Sequence, residues 1–390
     1  MNKDNAIDIL VVGSCNIDMH WFISELPHPG ETLLGSKFVK GYGGKGANEA
    51  VATSKLGALT ALIAMLGDDE YGKEYLQNLK NLNIITDYVG VAKDTSTGLA
   101  SITIDKHGQN FIIVIPGANW LMSPQILNRI LYQINENGEI VKSKIKCKVL
   151  VTQREVPDLV VLESLKWAKG YYGHYEEEIS NDNDEKEPRD HFSDTLTIFN
   201  PSPIKASERD ELFKSGIFDY CDIVCLNEVE IGMLTITDEP YKGNCTLQLS
   251  NLDPGFLDHC KSALSTLMDR LPRVKAIVLT LGQLGVLLCQ RNSNHSDNAS
   301  DKNGNYSCSE HLKNGKWDIR HVVAPKVDAI DTSGAGDSFL GSLAFYCAMY
   351  PSLDLHQMIN RACFISSQTV KHRGTQSSYL TKNELPQFLF

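Results

Sequence analysis

The chain has 390 residues, 42% of them hydrophobic, which suffices for one large α/β domain with a subdomain or for two domains. Its formal net charge is −11 and no basic stripe stands out, which argues against a nucleic-acid partner. Met1 to Asp8 is polar and lacks the apolar core of a signal peptide, and no apolar run approaches the ~20 residues that span a bilayer, so no membrane partner is expected. Ten cysteines are scattered without a CxxC pair. Cys15, Cys225 and Cys289 lie in strand-like apolar runs, and Cys221 with Cys225 brackets another, where a reduced thiol packs as a small hydrophobe. The pattern fits a reducing compartment, the cytoplasm, with the nucleus also open to it.

In chain order, Ile7 to Val12 is a continuous apolar run ending at Gly13, the pattern of a buried strand. Met19 to Lys40 alternates apolar and polar residues around Pro27-His28-Pro29-Gly30. Asn48 to Leu56 is helical, with Gly57 as its stop. Leu59 to Met65 is a second buried strand, and Tyr71 to Leu79 a helix. Leu99 to Ile115 alternates again, with a turn at Lys106-His107-Gly108. The two alternating segments predict antiparallel strands forming a small lid sheet, within about 14–42 and 97–116. Later strands are expected at Val149–Thr152, Leu196–Phe199, Ile223–Leu226, Ala276–Leu281 and Ile319–Val327, and a helix at Ser338–Tyr350. This rhythm predicts one α/β domain over 1–390, with a mostly parallel central sheet flanked by helices and a small β-sheet lid subdomain. Two insertions interrupt it. Residues 170–194 hold nine acids against two bases, most of the global charge, and 290–316 is rich in Asn and Ser; both are too poor in apolar residues to order themselves.

Several constellations carry chemistry. Asn16 and Asp18, at i and i+2 after the first strand, face one side of an extended chain and suit a vicinal diol; they are equally turn formers. Gly41-Tyr-Gly-Gly-Lys-Gly-Ala-Asn48 contains a GxGxxG match, with Asp68 about 20 residues on. The strand feeding it is amphipathic rather than buried, and Lys45 is followed by Gly46 rather than Ser or Thr. A dinucleotide fold and a Walker loop therefore both fit poorly. A tight turn setting backbone, Lys45 and Asn48 against a polar, uncharged ligand fits better. Asn227-Glu-Val-Glu230 opens a helix at the end of a strand. It makes either a capping box or an organiser of hydrated Mg²⁺. Thr280-Leu-Gly282 ends a strand where open α/β sheets bind nucleotides. In Asp331-Thr-Ser-Gly-Ala-Gly-Asp337, residues Gly334, Ala335 and Gly336 leave backbone N–H groups bare at a helix mouth, an anion pocket. Asp337 at its edge is either an acid favoured by the helix dipole or a base that deprotonates a hydroxyl beside a bound phosphoryl group.

These segments in this order resemble the ribokinase family of carbohydrate kinases, which includes the B-type phosphofructokinases. The resemblance is carried by GSCNID at 13–18, GGKGAN at 43–48, GDDEYG at 67–72, PGAN at 116–119, NEVE at 227–230, DTSGAGD at 331–337 and GTQSSY at 374–379. It implies an ATP-dependent kinase phosphorylating D-ribose at its 5-hydroxyl by in-line transfer. In that frame Asn16, Asp18, Gly44, Lys45, Asn48 and Glu155 hold the sugar, Asp337 is the base, and Gly334, Ala335 and Gly336 form the anion hole. Asn227, Glu230, Thr280 and Gly282 serve Mg²⁺ and ATP, with Cys363 standing near the adenine where many relatives carry Asn or His. Asp331, Ser333, Thr369, His372, Gly374 and Ser378 surround an activating K⁺, largely through carbonyls, and the lid strands pair across a homodimer. Arg154 replaces a usual apolar residue beside Glu155. A kinase for another pentose or a nucleoside, or a catalytically silent sugar-binding sensor, remain the alternatives.

Overall fold

Ile9 and Val11 point to one side of the first strand and Leu10 and Val12 to the other, and all four are fully buried. A strand with no polar face must be covered on both sides, which places it in the middle of a layered α/β sheet. The computed structural model describes residues 7–107, 109–135, 140–171, 195–235, 255–291, 308–314 and 316–390. In chain order its strands are β1 (Ile7–Val12), β2 (Asn16–Phe22), β3 (Lys37–Gly43), β4 (Thr60–Gly67), β5 (Val89–Ala92), β6 (Gly98–Ile104), β7 (Asn110–Ile115), β8 (Tyr132–Ile134) and β9 (Ile140–Ser143). There follow β10 (Cys147–Gln153), β11 (Leu196–Asn200), β12 (Ile223–Asn227), β13 (Ala276–Thr280), β14 (Val286–Arg291), β15 (Cys308–Asn314) and β16 (Trp317–Val322). The helices are α1 (Lys45–Lys55), α2 (Glu70–Asn81), α3 (Pro124–Leu131), α4 (Asp158–Ala168), α5 (Arg209–Lys214), α6 (Glu228–Thr235), α7 (Phe256–Arg270), α8 (Ala335–Met349) and α9 (Leu355–Thr369).

The main sheet has ten strands in the order β15-β16-β14-β13-β12-β11-β10-β1-β4-β5. From β5 to β13 all neighbours are parallel; β14, β16 and β15 continue the sheet antiparallel. Helices α1, α2, α8 and α9 bury their apolar residues in the core on one face, and α3 to α7 in the core on the other. From Ile9 on, the core residues of β1 divide by parity: Leu10 and Val12 join the second layer, Ile9 and Val11 the first. A mostly parallel sheet between two helical layers is the expected architecture, and the expected strands from Ile7–Val12 to Ala276–Leu281 in the parallel part are present with their ends moved by at most two residues.

The lid is a separate four-stranded sheet, β3-β2-β6-β7. Its two hairpin-like pairs, β2 with β3 and β6 with β7, are antiparallel as expected, but β2 and β6 pair parallel, Asn16 opposite Gly98 through Phe22 opposite Ile104. The chain reaches β6 from β3 through α1, β4, α2 and β5, so β6 is no hairpin partner of β2 and can lie beside it in parallel. Three further corrections concern the C-terminal third. The strand expected at Ile319–Val327 ends at Val322. The second insertion is not wholly unstructured, because Cys308–Asn314 pairs antiparallel with β16. The strand-like run around Cys289 is β14, with Val286 to Cys289 apolar and buried, but its antiparallel place in the main sheet was not anticipated. Of the two insertions, 172–194, 292–307 and 315 lie outside the described residues.

Candidate active site

The site forms where four chain segments meet: the turn after β1, the start of α1, the residue pair after β10 and the start of α8. Close backbone approach is what glycine supplies there. A Cβ on Gly46 would stand 2.7 Å from Gly13 Cα and from Ser14 N. Gly44, the N-cap of α1, has φ +88°, and a Cβ there would stand 2.7 Å from Asn16 N. The glycine run at 41–46 therefore works as a joint that lets α1 start against the β1 turn. The α1 N-terminus then points Lys45 and Asn48 at α8.

Both reach Asp337. Asn48 Nδ2 donates to Asp337 Oδ2 at 2.7 Å, and Lys45 Nζ lies 3.7 Å from Asp337 Oδ1. Burial opposes the Lys45 charge, but Asp337 first, then Glu155, Glu230 and Glu49, outweigh it and hold the ammonium above its ordinary value. Asn48 is itself held from behind: Gln376 Nε2 donates to Asn48 Oδ1 (3.0 Å) and to the Tyr75 hydroxyl (2.9 Å). Glu155 Oε2 accepts the Lys45 N–H at 2.9 Å and the Ser14 hydroxyl, with Asn16 Nδ2 at 3.5 Å. Glu155 thus binds the start of α1 to the β1 turn. Asn16 Oδ1 accepts from Asn119 Nδ2 at 2.8 Å, and Asn119 also closes a two-way pair with the Cys15 backbone. Asp18, half-buried on β2, has its carboxyl pushed up to about 7, by burial first and then by the Glu155 and Asp337 charges. Asn16, Asp18, Lys45, Asn48, Glu155 and Asp337 therefore converge on one space under the lid. Asn119, Gln376, Tyr75 and Ser14, which orient them, were not singled out from the sequence. Ser14, Asn119 and Gln376 appear there only as polar residues inside GSCNID, PGAN and GTQSSY, and Tyr75 only within a helical stretch.

At the start of α8, Gly334 is the N-cap with φ +71° and no side-chain cap. Its carbonyl accepts from the Tyr379 hydroxyl at 3.0 Å, and a Cβ would collide with Thr375 and Tyr379. Ala335 N–H turns back to Thr332 O (3.2 Å), whereas a Cβ at Gly336 would meet nothing within 4 Å, so Gly336 is the open position of the helix mouth. Beneath this loop, Asp331 accepts from Ser333 N–H (3.0 Å) and Gly374 N–H (2.9 Å). Burial works against its charge, but these bonds hold its carboxyl below the usual carboxylate range. The Thr369 carbonyl accepts His372 N–H, and the Ser378 hydroxyl donates to Thr375 O, so the 369–378 segment lies folded against the loop.

Asn227 and Glu230 form a complete reciprocal cap on α6. Asn227 Oδ1 accepts from the Glu230 N–H, and Glu230 takes the Asn227 N–H and Nδ2, all within 2.9 to 3.0 Å. Thr280, half-buried at the end of β13, donates to Leu226 O at 3.3 Å, and Gly282, with φ +55°, is open to space. Cys363 is buried in α9 within the core that α8 shares. Among the described residues no three His, Cys, Asp or Glu side chains form a metal cage. Asn227 Oδ1 and both Glu230 carboxylate oxygens are taken up by the cap on α6.

The chain is similar to carbohydrate kinases of known sequence and structure. A model of the pfkB family of carbohydrate kinases matches residues 6–170 and 190–382. A ribokinase of Mus musculus is 32% identical over 391 residues, covering 100% of this chain and 96% of that protein. A deoxyribokinase of Salmonella typhi is 28% identical, covering 98% and 99%. Among solved structures, a ribokinase of Thermotoga maritima matches with TM-score 0.66 at 25% identity, covering 97% of each chain. The Arabidopsis thaliana ribokinase complexed with ribose and ATP matches with TM-score 0.68 at 22% identity, covering 99% of each, and shares the fold. The chain belongs to the pfkB family of carbohydrate kinases. It is a sugar kinase, and the family's chemistry takes ATP with a divalent metal.

Proposed function

We propose that this enzyme phosphorylates D-ribose at the 5-hydroxyl, with Asp337 as the general base. The observation that carries the reading is the meeting of Lys45 and Asn48 on the Asp337 carboxylate at the open mouth of α8. A carboxylate there can accept the hydroxyl proton while the sugar oxygen attacks the γ-phosphorus of ATP; the bond to the departing ADP oxygen breaks in line. Gly334, Ala335 and Gly336 line the helix mouth facing the transferred group, where backbone donors and the helix dipole favour negative charge. Asn16, Asp18, Gly44, Lys45, Asn48 and Glu155 surround the sugar. Asn227, Glu230, Thr280 and Gly282, with Cys363 further along the nucleotide path, serve Mg·ATP; the Mg²⁺ there would neutralise phosphate charge. Asp331, Ser333, Thr369, His372, Gly374 and Ser378 would hold a K⁺ that braces the anion loop.

The sugar residues offer one cation, Lys45, already committed to Asp337, so a second phosphate on the substrate would meet Asp18 and Glu155 without a free partner. This favours an unphosphorylated sugar. The Salmonella relative's name makes 2-deoxyribose the competing substrate. Initial rates with Mg·ATP on ribose, 2-deoxyribose and fructose 6-phosphate test the reading: ribose is expected above 2-deoxyribose and both far above fructose 6-phosphate. Preference for the phosphorylated sugar would overturn it. We further propose a homodimer through the lid strands and a reducing, cytoplasmic setting that extends to the nucleus, consistent with the free thiols of Cys15, Cys147, Cys221, Cys225, Cys260, Cys289, Cys347 and Cys363.

A further inference from the structure

Helix α1 carries Lys45 and Asn48, and β10 leads into Glu155. One contact buried behind these residues joins the two elements: Gln153, the last residue of β10, donates through Nε2 to Glu49 Oε2. Gln153 is 0% and Glu49 1% exposed. The surroundings leave no slack. A Cβ on Gly13 would stand 2.2 Å from Gln153 Oε1, and one on Gly341 of α8 2.8 Å from Glu49 O. Glu49 follows Asn48, which holds Asp337, and Gln153 precedes by two the residue that holds Lys45 N–H and Ser14. Among the described residues no Lys, Arg or His forms an ion pair with Glu49.

We propose that Glu49 is a positioning residue for sugar phosphorylation: its bond to Gln153 locks α1 to β10 and so fixes the gap between Asn48 and Glu155 that the sugar occupies. This rests on the sugar site proposed above. A carboxyl buried without an ion pair is cheapest as the neutral acid. Burial first, then the Asp337 charge, raise its titration well above the carboxylate range; Lys45 and the Gln153 bond oppose this, and Glu155 adds to it. Tyr379 and Cys225 also feel its charge, from the C-terminal segment and from β12. A protonated Glu49 needs an acceptor, and Gln153 Oε1 has no other partner among the described residues, so the amide can turn that oxygen to the acid, exchanging its Nε2 donation for an accepted O–H. Ionisation would keep the Gln153 N–H bond but place another anion beside Asp337 and Glu155, a repulsion that strains α1 against its neighbours.

The test compares Glu49→Gln, which keeps a hydrogen bond but has no proton to lose, with Glu49→Ala in the full-length enzyme. At pH 7 the Gln variant should keep kcat and the sugar KM within about threefold. The Ala variant should raise the sugar KM at least about tenfold, with kcat and the ATP KM within about threefold, since a misplaced binding group costs on that order. An Ala variant with unchanged sugar KM, or equal damage in both variants, overturns the proposal. Melting temperatures give an arm that needs no substrate. Unfolded Glu49 ionises near 4.5 while the folded acid stays neutral. Its contribution is therefore complete below that pH and is lost as pH climbs toward the folded value. Wild type should lose melting temperature relative to Glu49→Gln between pH 5 and pH 8; a constant difference overturns the neutral acid. If wild type ignores ribose, the substrate reading fails by itself, and the same variants are assayed on the preferred sugar.

Discussion

Asp337 is the residue on which two donors and the helix mouth converge, and its removal is the sharpest single-residue test. Asp337→Asn keeps the size and can still pair with Asn48, but an amide accepts no proton from the sugar. The fold should persist and kcat should fall at least ~10²-fold, measured by initial rates at saturating sugar and ATP. Near-native kcat would remove Asp337 from the role of base. Asp18 predicts a pH effect. With its carboxyl pushed up to about 7, the free enzyme carries a mixture of acid and carboxylate at neutral pH. The carboxylate is the form that accepts from sugar hydroxyls, so the sugar KM should fall as pH rises from 6 to 8. Asp18→Asn should flatten that profile; a wild-type KM independent of pH would contradict it. In stability the sign is opposite: the raised value makes Asp18 favour the folded state below its ordinary 3.8, an advantage lost as pH climbs through about 7. At this scale the sequence named Asp18, Lys45, Asn48 and Asp337 because their chemistry is conspicuous beside glycine. It could not name Gln376 or Asn119, whose roles exist only once segments more than 100 residues apart meet.

Glycine at a joint and glycine at an open mouth should respond differently to the same change. At Gly46 a methyl meets the Gly13 and Ser14 backbone at 2.7 Å, which cannot move aside. Gly46→Ala should cost ~1–3 kcal/mol of stability and raise the sugar KM, read by melting and by kinetics. At Gly336 the methyl meets nothing within 4 Å, and alanine favours the helix, so Gly336→Ala should melt no lower than wild type. Its kcat should nonetheless fall, because the methyl occupies the approach of the transferred phosphoryl group. Unchanged kcat would place that group elsewhere. The loop beneath is held by Asp331 bridging to Gly374, so a bound K⁺ there should tighten the anion hole. Rates should be higher in potassium than in tetramethylammonium at matched ionic strength; equal rates would count against the cation. Element identities were legible wherever burial was two-sided, as in β1 and β4. The parallel pairing of β2 with β6 was not, since alternation fixes which face a side chain takes but not the direction of its neighbour.

At the scale of the whole molecule, the lid leaves one surface unaccounted for within a single chain. Its sheet ends at β7, an edge strand with no partner on one side among the described residues. Phe111, Ile112, Ile113, Val114 and Ile115 are each more than half exposed, so both faces of that strand present apolar side chains to water as well. The sequence showed the alternation of this segment and the apolar run, but its exposure follows only from the lid standing away from the main sheet. A long apolar edge invites pairing with another strand, and a monomer normally blunts it with charge or proline. None stands between Phe111 and Ile115. If two lids cover each other, the enzyme should sediment at twice its 43.3 kDa at micromolar concentration. Ile113→Asp combined with Phe111→Asp should return it to the single-chain mass. The main-sheet core is remote from these positions, so each monomer should keep a cooperative melt. The sugar KM should rise, because the lid that carries Asn16 and Asp18 loses its support on the far side. Wild type running as a monomer, or the double variant remaining dimeric, would dismiss the lid as the interface.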